Sequence, residues 1–139
     1  MPVLQMLSTY PRSGALDIQK LSQCVEACYE CAQACEACAD ACLAEEDVHA
    51  LRRCIRTNLD CAAVCAATGE VLSRQTEPNL DLLARLVEAC AGACAECGEE
   101  CERHASHHDH CRVCAETCRR CQAACEDLLG VIGQQRRAA

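Results

Sequence analysis

The chain has no phenylalanine and no tryptophan, and only two tyrosines and two methionines in 139 residues. A domain of this length normally builds its core from such large side chains together with Leu, Ile and Val. Lysine is nearly missing too, Lys20 being the one example, and the net charge is −8. An acidic chain almost free of aromatics offers neither a basic stripe nor a stacking platform, so nucleic-acid binding is not expected. Its charge reads as a device for solubility. No apolar run is long enough to cross a bilayer. The opening stretch, MPVLQMLSTYPRSGALDIQK, lacks a basic start and a long apolar run, so no secretory leader is expected.

What the chain has is cysteine, 18 residues of it, and with alanine it makes up most of the 51% hydrophobic content. A small cysteine-rich chain first suggests a secreted disulfide scaffold. Against that, these cysteines sit in alanine-rich helical stretches. Thiols at i and i+4 on one helix have Cβ atoms about 5–6 Å apart, whereas a disulfide wants roughly 3.5–4.5 Å. The expected compartment is a reducing cytosol.

The spacing carries the main signal. Cys24, Cys28, Cys31, Cys35, Cys38 and Cys42 follow one another at gaps of four, three, four, three and four. That rhythm is one face of an α-helix. Cys54, Cys61 and Cys65 continue it with gaps of seven and four. Cys90, Cys94, Cys97 and Cys101 repeat it, as do Cys111, Cys114, Cys118, Cys121 and Cys125. Breakers separate the four segments. Asp47 is a candidate N-cap for the second, and Pro78 followed by Asn79 ends the second and starts the third. Ser106 or Asp109 is a candidate cap for the fourth. One continuous helix from about 80 to 130 is the alternative there.

The predicted helices cover about 16–45, 48–74, 80–104 and 110–132. Residues 1–15 read as an N-terminal arm, 16–132 as the bundle, and 133–139 as a frayed C-terminal tail. Short connections imply antiparallel neighbours, hence an all-α, up-down four-helix bundle with a cysteine-lined core. Read along the stripes, one end of such a bundle collects Leu21, Leu72, Leu83, Val87, Leu128 and Ile132. The other collects Cys42, Cys54, Cys101 and Cys111, with His49, His104, His107, His108 and His110 around them. Asn58 and Thr68 interrupt the thinner sulfur wall of the second helix. The first stripe alone spans about 27 Å at 1.5 Å per residue.

Neutral thiols pack as small hydrophobes, yet the chain uses leucine where only packing is needed. Thiolate is a soft ligand that suits Cu(I), Zn(II) or iron–sulfur clusters. A monovalent ion replacing each thiol proton leaves a buried site near neutral, which favours Cu(I) because uncompensated buried charge is costly. On that count capacity is on the order of 15 to 20 ions per chain. Zinc wants closed groups of four ligands, and continuous stripes do not suggest such groups. The ferredoxin cysteine run is absent. Five C-x2-C pairs, at 28/31, 35/38, 94/97, 111/114 and 118/121, are by-products of the helical spacing. No Ser/His/Asp arrangement, phosphate loop or isolated activated thiol is present, so no enzyme activity is expected.

The recurring CxxxCxxCxxxC pattern resembles the bacterial copper storage proteins over residues 16–132. The absence of a leader and of a methionine-rich opening resembles their cytosolic branch. The resemblance implies a homotetramer of bundles, each filled with Cu(I) through an open end. It makes all the cysteines ligands, Asn58 and His104 supplementary ligands, and His108 and His110 the metal entrance. The expected function is high-capacity Cu(I) storage in the cytoplasm. A zinc buffer and a thiol or iron–sulfur redox protein are the alternatives.

Overall fold

Helix starts follow the capping chemistry of the sequence. The Asp17 carboxylate accepts the backbone N–H groups of Gln19 and Lys20 at 2.8 and 3.1 Å. Asn79 Oδ1 accepts that of Leu82 at 3.1 Å. Each satisfies orphan donors of a first turn. The computed structural model describes residues 1–138. Its helices are α1 (Val3–Ser8), α2 (Ile18–Leu43), α3 (Arg52–Leu72), α4 (Leu80–His104) and α5 (Asp109–Ala138), with a 3-10 turn, Val48–Leu51, leading into α3. No strand occurs among the described residues.

Helices α2 to α5 form the bundle. Each packs on its sequence neighbours and α5 closes on α2, so α2 and α4 lie diagonally opposite, as do α3 and α5. Sulfur contacts give the directions. Cys24 meets Cys125 while Cys38 meets Cys111, so α2 and α5 are antiparallel. Cys28 meets Cys90 and Cys35 meets Cys97, so the diagonal pair α2 and α4 is parallel. This is the expected up-down bundle. α4 stops at His104 and α5 begins at Asp109, which excludes one continuous helix.

The core is the stripe itself. Every cysteine is 2% exposed or less. Leu21, Leu72, Leu83, Val87, Leu128 and Ile132 are buried together as the apolar plug. Leu7 and Leu16 from the N-terminal arm pack onto the same core. The Tyr10 hydroxyl donates to the Ser73 carbonyl at the end of α3 and accepts the Gln75 N–H at 3.3 Å. The arm is thereby fastened across the plug end.

Three local expectations need correction. The arm is not irregular throughout, because Val3–Ser8 is helical. The expected tail at 133–139 continues α5 through Ala138, and position 139 lies outside the described residues. Gln134, Gln135, Arg136 and Arg137 are good helix formers, the arginines suit a helix C-terminus, and Arg136 pairs with Asp81 at 2.8 Å. Asp47 precedes the 3-10 turn without a side-chain cap, and α3 starts only at Arg52. The Asp47 carboxylate is engaged elsewhere, by His108.

Leu128 is fully buried in the plug. Leu128→Ala is expected to destabilise the metal-free protein by about 2–5 kcal/mol, read as a lowered urea midpoint under anaerobic, reducing conditions. An unchanged midpoint would show that the plug is not a packed core.

Candidate metal centre

A helix that places cysteine at every third or fourth position aims all of them at the bundle axis. Four such faces produce a continuous network of free thiols. Cys65 and Cys94 approach to 3.6 Å between sulfurs. Cys118 lies 3.7 Å from both Cys31 and Cys35, joining α5 to α2. Across the diagonal, Cys31 and Cys94 are 4.0 Å apart. The axis is therefore filled with sulfur.

The thiols also group in fours, each set lying within 4.8 Å. Cys28, Cys90, Cys121 and Cys125 make one set, and Cys31, Cys65, Cys94 and Cys121 the next. Cys31, Cys35, Cys61 and Cys118 follow, then Cys35, Cys97, Cys114 and Cys118. Cys38, Cys42, Cys54 and Cys111 form a set at the histidine end. This corrects the expectation that continuous stripes hold no groups of four. Periodicity on one helix does not reveal which rungs of four helices meet at one level. A tetrahedral ZnS4 site, with Zn–S about 2.3 Å, needs sulfurs about 3.8 Å apart, so size alone does not exclude zinc. The sets share Cys31, Cys35, Cys118 and Cys121. Shared thiols suit bridged ions better than separate closed sites.

Asn58 is fully buried among these sulfurs. Its Oδ1 accepts from the thiols of Cys97 and Cys114 at 3.0 Å each and from Cys101 at 3.6 Å. Its Nδ2 donates to Cys54 Sγ at 3.4 Å. The side chain thus joins α3, α4 and α5 at one level. Thr68, the other interruption, is fully buried and donates its hydroxyl to the Val64 carbonyl at 2.7 Å, so its polar atom is satisfied within its own helix.

Hydrogen bonds between thiols divide the acidities. Donation from Cys125 and Cys28 lowers Cys24 to about 5 in spite of burial. Cys125 is pushed the other way, chiefly by its bond to Cys121. At the histidine end, donation from Cys101 is the largest influence on Cys38, which is lowered to about 6. A thiolate in this tube is held by the S–H groups of its neighbours, the only donors a dry sulfur core supplies in number.

The histidines differ in placement. His110 Nδ1 lies 3.4 Å from Cys38 Sγ and 3.6 Å from Cys111 Sγ, and its Nε2 lies 3.4 Å from Glu45. Burial of its ring disfavours the proton, but Cys38 and Glu45 outweigh that, and its pKa is raised. His108 sits between Glu45 and Asp47 and stacks on His110 with ring centroids 5.5 Å apart. His104 bonds not to sulfur but to Glu100, at 3.4 Å. Glu100 is itself buried and paired with Arg103 at 3.2 Å. His49 and His107 are exposed. Sequence reasoning gave Glu45 and Glu100 no role and read Asp47 only as a helix cap, not as a partner of the histidines. Glu45 lies on the first stripe just beyond Cys42, so its place at the mouth follows from the same spacing.

Fold and site together define a helical bundle whose axis, between the apolar plug and the histidine end, is lined with thiols of the soft-ligand type that suits metal ions. The family model described as copper storage protein matches residues 17–130. The chain belongs to that family. It is 52% identical to the copper storage protein Ccsp from Streptomyces lividans, a structure loaded with 10 copper equivalents, with 93% of this chain and 98% of that one covered and a TM-score of 0.91. A cytosolic copper storage protein from the same organism, carrying five coppers, is 54% identical over 81% of this chain and 93% of that one, with a TM-score of 0.80. The Cu(I)-bound copper storage protein BsCsp3 is 34% identical over 80% of this chain and 99% of that one, with a TM-score of 0.71. Among curated proteins no significant match is found.

Asn58→Ala removes the acceptor shared by three thiols and leaves a cavity beside them. The metal-free variant is expected to lose about 1–3 kcal/mol, the cost of unsatisfied buried groups, as a lower urea midpoint in anaerobic reductant. An unchanged midpoint would mean that the amide has no structural part in the sulfur core.

Proposed function

We propose that the chain stores Cu(I) at high capacity in the cytosol, with the bundle over 16–132 as the storing unit. The observation that carries the reading is the sharing of thiols between adjacent groups of four along the tube. A monovalent soft ion that replaces each thiol proton leaves the dry interior neutral, and bridging sulfur lets neighbouring ions share ligands. All the cysteines named above bind metal, with capacity on the order of 15 to 20 ions per chain. Once the S–H donors around Asn58 are gone, its Oδ1 is free to act as a supplementary ligand.

His104 is a further ligand at the same end after moving from Glu100. His108 and His110 form the entrance, and His110, already against Cys38 and Cys111, takes part in binding there. Similarity to a cytosolic relative supports the compartment. No helix among the described residues is long and apolar enough to cross a membrane. The family resemblance supports a homotetramer. The chain acts as a reservoir and not as an enzyme, because every thiol is committed to the same buried lattice.

Zinc is the second reading, favoured by the size of the four-thiol groups. Three of the groups share no thiol, namely those built on Cys28, Cys61 and Cys42. One divalent ion in four thiolates, however, leaves net negative charge at each buried site.

Anaerobic titration of the reduced protein against a chromophoric Cu(I) chelator tests the reading. A break near one copper per thiol, with about one proton released per ion, is expected. A break at three or four equivalents, together with tighter retention of zinc, would replace storage of Cu(I) with zinc buffering.

A further inference from the structure

The histidine end is closed by two loops that reach toward each other. One is the connection between α2 and α3, which carries Glu45 and Asp47. The other is the connection between α4 and α5, which carries His108 and leads directly to His110. Their contacts cross the mouth. Glu45 Oε2 meets His108 Nδ1, Asp47 Oδ2 meets His108 Nε2 at 3.1 Å, and Glu45 Oε2 meets His110 Nε2 at 3.4 Å. Both ring nitrogens of His108 are thus occupied by carboxylates of the opposite loop. An imidazole held in this way has no nitrogen left for an incoming ion. Directly beneath lie Cys38, Cys42, Cys54 and Cys111, all buried.

We propose that Glu45 and Asp47 are positioning residues that latch the mouth shut in the metal-free protein, and that ions pass only when these carboxylates release the two imidazoles. The latch is made of carboxylate–imidazole bonds between loops and not of the packing that holds the helices together. Its opening therefore exposes the outermost thiols without unfolding the bundle. The contacts are local to one end, so the thiols beside the plug are indifferent to it. The consequence for copper rests on the storage reading, whereas the closure is a property of the metal-free chain.

The test uses the isosteric double variant Glu45→Gln/Asp47→Asn, with Glu46→Gln as the control. Glu46 is exposed and is the neighbour of both latch residues. Reduced metal-free proteins are labelled anaerobically with a water-soluble maleimide, and mass spectrometry follows each cysteine in time. Cu(I) uptake, release to a chelator, and total capacity are measured in parallel. In the double variant, Cys38, Cys42, Cys54 and Cys111 are expected to label on the order of tenfold faster, the scale set by losing a charge-assisted hydrogen bond. Cys24 and Cys125 are expected to keep the wild-type rate, and the control to label like wild type throughout. Copper uptake and release both quicken while capacity stays the same. Equal labelling of the mouth thiols in variant and wild type overturns the latch. So does faster labelling at every cysteine, which would mean that the bundle had loosened as a whole. If labelling behaves as expected but wild type and variant alike bind only a few copper ions, the storage reading fails and the latch stands.

Discussion

A thiol that loses its proton inside a dry bundle leaves an anion without water around it. Along four facing stripes of cysteine that constraint shapes the rest of the structure. In the metal-free chain the sulfurs stay close to neutral by passing S–H bonds among themselves, with spacings of 3.6–4.0 Å. Each thiolate that does form leans on neighbouring thiols, as Cys24 does on Cys125. An ion that takes the place of protons one for one keeps the same balance. A divalent ion does not, unless it leaves many protons behind. The choice of cargo therefore follows from charge more firmly than from ligand distance, since the four-thiol groups are sized for more than one metal.

The same constraint explains why the two ends differ. At one end nothing has to pass, and leucine, valine and isoleucine pack as they would in any bundle, with Leu7 and Leu16 of the arm laid over them. At the other end, on the storage reading proposed above, ions exchange with water, and the chain supplies groups that tolerate both surroundings. Imidazole is one such group, and carboxylates from the facing loop hold it in place. Carboxylates are kept out of the sulfur stripe itself, because Glu45 or Asp47 a turn deeper would bring an unpaired charge among the sulfurs.

Much of this was legible in the sequence. The gaps of four and three gave the inner face of each helix, Pro78 and Asn79 gave a turn, and antiparallel stacking of the stripes separated the leucine end from the histidine end. These succeeded because each depends on a local period or a local stop. What the sequence did not make legible depends on contacts between elements. Which four sulfurs meet at one level depends on the axial offsets between helices, and no single stripe encodes those. His104 continues its stripe in register but turns to Glu100, whereas His110, one residue before Cys111 and off the stripe, reaches the sulfurs from the side. Asp47 looks like a cap by position, yet its carboxylate is drawn to an imidazole 61 residues away. The tail at 133–138 looked frayed beyond the last stripe residue, yet helix propensity and the Arg136–Asp81 pair carry it on.

Asn58 is the one amide in the sulfur core, and the constraint accounts for it. A carboxylate there would add an anion that nothing nearby neutralises. A leucine would leave the S–H groups of Cys97, Cys101 and Cys114 without their oxygen acceptor. An amide serves both conditions of the tube. While the thiols hold their protons, its oxygen gathers them and its N–H bonds to Cys54. On the storage reading, when the protons leave, the N–H remains a donor to sulfur that has become a better acceptor, and the oxygen is released to face the incoming charge. One neutral side chain with a donor and an acceptor can follow the exchange of protons for metal without itself being left buried and unpaired.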